Sequence, residues 1–486
     1  MKMKIVINFL FIGLTFQMFS QAYTFDNSFG ENGYISYTDT SDNFLNPETA
    51  PVDMFYLNDK YVLVQSYQLA RFNSDGSRDL TFGINGKARI AYRNYNFAIS
   101  SAKLTTESIY VCGQVSMGDL NNTKGFIAKF NLDGSFDTLF GDGGIAIFEV
   151  FPDGTIGDYS SFNDLLINTD GSILITGWLQ ANVIVCKLTS SGTIDLDYSS
   201  TGYKSFGQGR GKCLIGHHGG FLLVSTLGTT KIDNLGNIDV SFGINGIIAT
   251  GDNATSKVVA LENTLFYIHS FYVGRPGFGG HNIYFITGYD ADTFQVTFPG
   301  INANTYPGIS VLNDTVLVTD ATDSFANDYG FYFRIRRFSA DGAADLSFNN
   351  TGVYIYAFPS GPNSSYATVS YPHDDGKIFI AGWQNQYQNG IRNRGLGMFK
   401  IQPAALGLEE RIKNDWTIYP NPTTDKIYIS NFENWDAFRV YDVTGKEFNC
   451  SIDTRGCISV SNLKNGIYFL SSYKNGIKNT LKFIKK

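Results

Sequence analysis

A chain of 486 residues is too long for one ordinary hydrophobic core, so it has to divide into several units. Only 17% of the residues are charged, whereas there are 51 Gly, 40 Phe and 29 Tyr, which is typical of short strands joined by tight turns and excludes a protein of long amphipathic helices. Residues 416–486 carry a charge of +4 and the first 22 residues +2, so the net −7 of the chain leaves −13 on the body between them. This acidic body argues against nucleic acid as a partner.

The chain begins with the features of a secretory signal peptide. Lys2 and Lys4 precede an apolar run, and Ser20 and Ala22 then place small residues at a cleavage site. The run is shorter than the roughly 20 residues that cross a bilayer, so a membrane anchor is the weaker alternative. We therefore expect residues 1–22 to be removed on export, and we expect no transmembrane segment in the mature chain.

One stretch recurs along most of the chain. In residues 129–144 it reads KFNLDGSFDTLFGDGG, and its copies align on the Asp that precedes Phe-Gly. The aligned aspartates are Asp26, Asp79, Asp137, Asp195, Asp239 and Asp345. The Asp195 copy lacks Phe-Gly, and a degenerate copy, also without Phe-Gly, lies near Asp292. A period near 50 residues with about four strand-like runs in each period predicts an all-β fold, the blades of a β-propeller.

The number of strand-like runs predicts a seven-bladed β-propeller over residues 23–402. Six or eight blades remain alternatives, because two copies of the repeat are degenerate. Tyr34–Tyr37 precedes the first full group of strands, and the last group lacks a fourth strand. We therefore expect this N-terminal strand to pair with residues 397–402, which would join the ends of the ring and leave no exposed sheet edge.

The repeat pattern Asn-x-Asp-Gly-x-x-Asp-x-x-Phe-Gly-x-x-Gly resembles the delta-sixty repeat of bacterial surface and secreted proteins, over roughly residues 25–400. The resemblance implies a propeller-like scaffold that is not an enzyme and has no shared ligand. Within the motif, Asn131, Asp133 and Asp137 are weak candidates for a calcium site, since calcium prefers several hard oxygen ligands. Turn capping by the same side chains is the alternative interpretation.

The chain changes character after a linker at residues 403–415. Short alternating strands over residues 416–486 predict a small C-terminal β-sandwich. In four ordered motifs this segment resembles the C-terminal sorting domain of proteins exported by the type nine secretion system of Bacteroidetes-like bacteria. The motif residues are Tyr419, Pro420, Asn421, Pro422, Asp442, Gly445, Lys446, Gly466, Tyr468, Lys482, Lys485 and Lys486. The resemblance implies contact with the secretion machinery, passage through the periplasm to the cell surface or the medium, and removal of the tail. An ordinary adhesive sandwich module is the alternative.

Five cysteines make no even disulfide framework. Cys112, Cys186 and Cys213 fall in predicted strands of the propeller, where buried thiols are expected. Cys450 and Cys457 flank a short segment that can fold back as a hairpin, so they are the candidate disulfide of an exported protein. Whether they pair depends on the strand register, which has to bring their Cα atoms within bonding range.

The sequence shows no catalytic constellation and no cofactor motif. A Gly-x-Ser-x-Gly elbow is absent, and the carboxylates in phase with the repeat belong to turns. Arg334, Arg336 and Arg337 cluster as the arginines of a propeller sialidase would, but Arg337 holds the strand position of the repeat. We therefore expect a surface-displayed or secreted scaffold that binds or adheres to a glycan or surface protein. A polysaccharide-active enzyme and a purely structural surface protein are the alternatives.

Overall fold

The computed structural model describes residues 22–37, 50–118, 122–217, 219–249, 255–261, 264–272, 279–288, 295–323, 331–356, 364–388, 391–404, 417–430, 438–443, 445–453, 455–474 and 477–486. Nearly all of the expected signal peptide, most of the expected linker and the degenerate copy near Asp292 lie outside these residues. The chain divides into two compact units, Met1–Ala404 and Ala405–Lys486. Regular secondary structure in the described part is all β-strand, and no helix there is long and apolar enough to cross a membrane.

Four separate four-stranded sheets form the first part of the N-terminal unit. Two short strands precede them, β1 (Tyr23–Phe25) and β2 (Tyr34–Tyr37). Within each sheet the strands pair antiparallel in chain order, because tight turns connect them. The sheets are formed by β3 (Asp53–Leu57), β4 (Lys60–Gln65), β5 (Gln68–Asn73) and β6 (Lys87–Arg89); β7 (Asn96–Leu104), β8 (Ser108–Ser116), β9 (Thr123–Asn131) and β10 (Ile145–Ile147); β11 (Ser160–Ile167), β12 (Ile173–Leu179), β13 (Asn182–Leu188) and β14 (Tyr203–Gln208); and β15 (Gly211–His217), β16 (Gly220–Ser225), β17 (Gly228–Asp233) and β18 (Ile247–Ile248).

The second part of this unit is a twelve-stranded sheet that also contains β1 and β2. Its other strands are β19 (Thr255–Leu261), β20 (Thr264–Tyr272), β21 (Gly279–Thr287), β22 (Gln295–Leu312), β23 (Thr315–Asp323), β24 (Phe331–Ser339), β25 (Val353–Tyr356), β26 (Ser364–Pro372), β27 (Ile378–Gln388) and β28 (Ile391–Pro403). The first half of β22 pairs with β21 and its second half with β23, and a parallel bridge joins β24 to β26. These links merge three groups of strands that otherwise repeat the four-stranded pattern.

The first strand of each group contacts the first strand of the next. The contacts run from β3 through β7, β11, β15, β19 and β22 to β26, and β26 contacts β3. Hydrophobic side chains fill the layers between neighbouring sheets, as where Phe148, after β10, packs edge-to-face on Phe162 of β11 with the ring centroids 5.0 Å apart. This ring of radial sheets is the predicted β-propeller. The described strands fall into seven such groups, and the blade count stays a prediction because the last three groups merge.

Pairing between the two ends of the unit closes the ring as predicted. Tyr34–Tyr37 of β2 pairs antiparallel with residues 396–399 of β28. In addition, Tyr23–Phe25 of β1 pairs with residues 401–403, which the sequence does not predict. The first and last described strands of the unit therefore share one sheet, and both sides of β28 are paired, with β27 on one side and with β1 and β2 on the other.

The closure uses a split copy of the repeat motif. In an intact copy, the amide of Asp137 donates to the carbonyl of Lys129 at 3.0 Å, and the amide of Lys129 donates to Gly144. At the closure, the amide of Asp26 donates to the carbonyl of Lys400 at 2.9 Å, and the amide of Lys400 donates to Gly33. Lys400 thus takes the place of Lys129, and the N-terminal segment supplies the rest of the motif.

Each motif copy also holds its neighbour. The amide of Gly83, in the Phe-Gly of one copy, donates to the carbonyl of Asp133 in the Asp-Gly turn of the next copy at 2.6 Å. Gly134 in that turn has a φ of +87°, and a Cβ added there would lie 2.9 Å from the ring of Phe82. The motif therefore recurs because each buried ring packs beneath the turn of the following repeat.

Five of the first strands carry a β-bulge at equivalent places, in β7, β11, β15, β19 and β26. A glycine on the second strand opposes the bulge in three of these groups, because the bulged backbone comes close to it. A Cβ added at Gly113 would lie 1.9 Å from the carbonyl oxygen of Ala98, and one at Gly177 equally close to that of Ser161. Bulges change the direction of the side chains beside them.

The C-terminal unit is the two-layered sandwich that the sequence predicts. One sheet contains β29 (Ile418–Tyr419), β30 (Lys426–Ile429) and β33 (Cys457–Ser459), and the other contains β31 (Arg439–Asp442), β32 (Glu447–Phe448), β34 (Gly466–Lys474) and β35 (Ile477–Lys485). Ile427 and Ile458 from the first sheet pack with Val440, Leu470 and Phe483 from the second.

Candidate functional site

The three metal candidates of the repeat are occupied by bonds within their own turn. The Asn131 side chain donates to the hydroxyl of Ser135, and Asp133 accepts hydrogen bonds from the amide and the hydroxyl of Ser135 at 2.9 and 2.6 Å. Asp137 accepts from the amide of Leu139 and pairs with Lys129 at 2.8 Å. Hydrogen bonds from Lys129 and Leu139 hold the pKa of Asp137 below its ordinary value. This geometry fits turn capping.

The partner of the motif aspartate is a basic residue eight positions earlier, which the sequence analysis overlooked. The pair is present in five intact copies as Arg71–Asp79, Lys129–Asp137, Lys187–Asp195, Lys231–Asp239 and Arg337–Asp345. In the split copy, Lys400 lies 3.8 Å from Asp26, and Lys377 lies 2.9 Å from it. The recurrence of Lys or Arg at a fixed offset was the signal that could have revealed it.

The three clustered arginines do not converge. Arg334 and Arg336 both bond Asp320, which is fully buried, whereas Arg337 turns away to Asp345 at 2.6 Å. Alternation along β24 causes this separation, because neighbouring residues of a strand point to opposite faces. A three-arginine sialidase site is therefore not formed by these residues.

The sorting-motif residues connect the first and last strands of the C-terminal unit. The side chain of Asn421 donates to the carbonyl of Lys482 and accepts from the amide of Ile484, both at 2.9 Å. The ring of Tyr468 stacks on Phe483, and its hydroxyl donates to the carbonyl of Lys464. Two motif residues form a turn, in which Asp442 accepts from the amide of Lys446. The remaining motif residues are Tyr419, Pro420, Pro422, Gly445, Gly466, Lys485 and Lys486.

Cys450 and Cys457, the candidate disulfide, are free thiols in the structure. The hairpin pairs Ile452 with Ile458, so Cys457 lies opposite Asp453, three residues beyond Cys450. At about 3.3 Å per residue this offset is roughly 10 Å, more than a disulfide spans. The register therefore separates the two cysteines.

A polar cavity lies among the first strands of the propeller. It has two adjoining parts with volumes of about 230 and 160 Å³, which share Asp53 and Lys257 in their walls. The bulges supply much of the wall, since residues at or beside the bulges of β7, β11, β15 and β19 line it. These residues are Ser100, Ser101, Asn163, Asp164, Lys212, Cys213 and Lys257.

Asp164 connects three neighbouring first strands in this cavity. Its Oδ1 accepts from the hydroxyl of Ser101 at 2.7 Å and pairs with Lys103 at 3.0 Å, while its Oδ2 accepts from the amide of Leu214 at 2.9 Å. Burial works against its charge, but Lys103 and these hydrogen bonds hold the pKa of Asp164 below its ordinary value. Both carboxylate oxygens are thus already engaged.

Lys257 and Asp53 form the second charged part of the wall. The Nζ of Lys257 donates to the carbonyl of Val52 at 2.9 Å, so it reaches from β19 to the segment before β3. Burial lowers the pKa of Lys257 and raises that of Asp53. Burial also raises the pKa of the Cys213 thiol well above its ordinary value, with Asp164 adding to the effect, which disfavours a thiolate there.

Two further cations mark the start of β15. Lys212 lines the cavity, and Arg210 is exposed, with its guanidinium 4.9 Å from the ring of Trp178. Asn163 donates to the carbonyl of Gly211 between them at 2.6 Å. Burial lowers the pKa of Lys212, and the nearby charge of Arg210 lowers it further.

Sequence reasoning missed this cavity because it looked for catalytic constellations and assigned the carboxylates in phase with the repeat to turns. Asp53, Lys103, Asp164, Lys212 and Lys257 all lie in or next to strands whose other residues are largely apolar. A charge inside an inner strand of a predicted propeller is the signal that could have identified them.

Two family models match the chain. Residues 417–486 match "Secretion system C-terminal sorting domain", and residues 64–82 and 108–140 match "Domain of unknown function (DUF5122) beta-propeller". The first match indicates secretion through the type nine system to the outer surface or the extracellular space. The second agrees with the repeat and with the strand topology.

Comparison with solved structures finds similar chains at low sequence identity. The WD40 domain of Neurospora crassa Pan2 is 9% identical, with 80% of this chain and 98% of that chain covered and a TM-score of 0.45. PorZ, a surface component of the type-IX secretion system of Porphyromonas gingivalis, is 10% identical, with 90% and 81% covered and a TM-score of 0.24. A glucose dehydrogenase is 9% identical, with 74% and 97% covered and a TM-score of 0.35. No curated protein sequence matches the chain. Propellers occur among both enzymes and other proteins, and no specific activity is indicated.

Proposed function

We propose that the propeller is the binding part of an exported protein and that its ligand enters the central cavity. The observation that carries this proposal is the convergence of five charged side chains from five different first strands on one cavity. They are Asp53, Lys103, Asp164, Lys212 and Lys257. Partly buried charges cost free energy. If the side chains at the centre of the propeller served only for packing, apolar side chains would therefore give a more stable fold than charged ones.

Binding is favoured over hydrolysis by the state of the groups in the wall. A glycosidase needs two carboxyl groups that are free to transfer a proton and to attack or activate water. Both oxygens of Asp164 are engaged by neighbouring donors, which leaves Asp53 as a single available carboxyl in the described wall. The polysaccharide-active enzyme is therefore the second candidate, and its test is the release of product.

We also propose a division of labour along the chain. Residues 1–22 act as the signal peptide, residues 23–402 as the propeller, residues 403–415 as the linker and residues 416–486 as the sorting domain. The repeat turns are structural and hold no calcium, because their oxygens already accept hydrogen bonds. The partner on the outside is a glycan or a surface protein.

A binding screen with a matched pair of variants tests the proposal. The exported mature protein is applied to arrays of glycans and surface proteins, and every glycan that binds is then incubated with it and assayed for new reducing ends. Asp53→Asn should weaken binding at least tenfold, whereas Asp59→Asn, at an exposed turn of the same sheet, should leave it unchanged. Release of product would identify an enzyme, and equal binding by both variants would place the site away from the cavity.

A further inference from the structure

We propose that Arg210 and Lys212 form the entrance of the cavity and that they recognise a carboxylate on a terminal acidic sugar. The inference rests on the proposed binding function and names the class of its ligand. The two residues lie two positions apart, with Arg210 directly before β15 and Lys212 in its bulge, and the charge of Arg210 is near enough to lower the pKa of Lys212. Lys212 lines the cavity, and Arg210 beside it in the chain is exposed, so the pair extends from the cavity wall to solvent.

The charges deeper in the cavity are compensated, whereas those at the entrance are not. Lys103 pairs with Asp164 at 3.0 Å, and the opposite charges of Lys257 and Asp53 line the same wall. Within the part of the chain that the structure describes, neither Arg210 nor Lys212 has an acidic partner. Two uncompensated cations side by side repel each other, so an anion placed between them is stabilised by both.

The surroundings of Arg210 fit a planar anion. Its guanidinium lies over the ring of Trp178, and its backbone amide donates to the hydroxyl of Thr226 at 3.0 Å. Stacking restricts the orientation of the guanidinium while its N–H groups stay accessible, and this fork matches the two oxygens of a carboxylate. Lys212 adds a point charge that can approach the same group from the cavity side.

The size of the cavity and the route of export favour the end of a sugar chain. Lys212 lines the part of the cavity with a volume of about 230 Å³, and this part alone is below the roughly 300–1,000 Å³ that encloses a whole drug-sized ligand, so a single terminal residue fits it better than a long segment. Secretion to the surface or the medium brings the protein to polysaccharides. The body of the chain carries −13, so a cationic entrance is a local exception that selects for acidic chains.

Calorimetry with trigalacturonate and with its methyl ester tests the proposal on the full mature protein. The free acid should bind at least tenfold more tightly than the ester, and its affinity should fall in 0.5 M sodium chloride, because salt screens the interaction at the exposed entrance. Glucuronate as a monosaccharide should bind more weakly than the trimer but at the same site. Equal affinity for the acid and the ester would overturn the proposal. It would also be overturned if sodium sulfate displaced the trimer as well as sodium glucuronate does at the same ionic strength.

Matched variants assign the effect to the entrance. Lys212→Met and Arg210→Gln should each weaken binding of the acid at least tenfold. Because Arg210 is exposed, we expect Arg210→Gln to fold as the wild type does. Arg93→Gln is the control, because Arg93 is also exposed and stacked on a tyrosine, at 4.8 Å, yet does not line the cavity. Wild-type affinity of both entrance variants would overturn the proposal.

Two further outcomes separate this proposal from the proposed function. If a neutral glycan binds and only Asp53→Asn abolishes its binding, the ligand class is wrong and the binding function stands. If no glycan or protein binds at all, the proposed function itself fails.

Discussion

Tyr198 holds the position of the motif that phenylalanine holds in the other described copies. Those residues are Phe29, Phe82, Phe140, Phe242 and Phe348. Tyr198 fills the same buried place beneath the next turn, beside Gly236, so its copy keeps the packing although the Phe-Gly pair is lost. Its hydroxyl is buried and has no hydrogen-bond partner among the described groups. A buried unpaired hydroxyl costs free energy, which phenylalanine would avoid.

We therefore predict opposite outcomes for two tyrosine-to-phenylalanine substitutions. Tyr198→Phe should leave the free energy of unfolding unchanged or raise it. Tyr267→Phe should lower it by about 1–2 kcal/mol, because the buried hydroxyl of Tyr267 bonds Thr229 at 2.6 Å and its loss leaves Thr229 unpaired. Urea denaturation of both variants measures the difference, and similar losses in the two would contradict the prediction.

His373 predicts a pH dependence of stability. Burial, with a contribution from Lys400, lowers the pKa of His373 to about 4, and its Nε2 is bonded to the hydroxyl of Tyr61 at 2.7 Å. The unfolded chain has the ordinary histidine pKa of about 6.5, so it takes up a proton first as the pH falls. The free energy of unfolding should therefore decrease as the pH falls from about 6.5 to about 4.

The variant His373→Gln isolates this effect, because glutamine can keep a hydrogen bond to Tyr61 but does not titrate. Its stability should stay flat over that interval, apart from changes common to both proteins. Carboxylates with lowered pKa values, such as Asp26 and Asp79, lose their contribution as the pH falls from the ordinary carboxyl pKa of about 4 towards their own lower values, so they act mainly below this interval. Chemical denaturation at a series of pH values gives both curves, and parallel curves would rule out His373 as the source.

At the scale of the element, the glycine opposite a bulge is sensitive to substitution. Gly177→Ala should lower the free energy of unfolding by about 1–3 kcal/mol, because the new Cβ would meet the carbonyl oxygen of Ser161 at 1.9 Å and the backbone would have to move. Gly216→Ala is the control in a neighbouring sheet, since the nearest atom to its Cβ would be 3.8 Å away. We expect a change within about 0.5 kcal/mol there. Thermal unfolding of the pair would contradict the bulge account if both variants melted alike.

Strands and turns could be predicted from the sequence because their signals are local. The Asp-Gly turn at Gly134 needs a positive φ that glycine tolerates, and a glycine with positive φ stands at the same place in other copies, at Gly76, Gly192, Gly236 and Gly342. The bulge opposite Gly177 could not be predicted, because it depends on how two strands pair. The cavity has the same limitation, since Asp53 and Lys257 are 204 residues apart in the chain and meet only when the ring closes.

Closure of the ring can be tested at the scale of the whole propeller. Deletion of residues 23–37 should lower the melting temperature sharply, because it removes β1 and β2 and exposes β28 as an edge. Asp26→Ala should cost about 3 kcal/mol, since Asp26 is only 3% exposed and its loss leaves Lys377 and Lys400 without their acid. Asp239→Ala removes the same motif position where its side chain is more exposed, and should cost clearly less. An unchanged melting curve after the deletion would contradict closure.

The C-terminal unit should matter for location and not for the stability of the propeller. Protein recovered from the surface or the medium should lack most of residues 416–486, and a chain ending at Ala404 should stay in the periplasm of the native host while keeping the melting temperature of the propeller. Mass spectrometry of the recovered protein and fractionation of the cells measure the two outcomes. An intact C-terminus ending in Lys485 and Lys486 on exported protein would show that the sandwich is a resident domain.

The split motif has a consequence for the timing of assembly. Tyr34 leaves the ribosome 365 residues before its partner Phe399, a delay of tens of seconds at about 5–20 residues per second. Each of the other groups of strands can pair as soon as it has been synthesised, but β1 and β2 cannot pair until β28 has been synthesised. A product of translation that stops early therefore keeps an open ring with an unpaired edge, and proteases can distinguish it from a finished molecule.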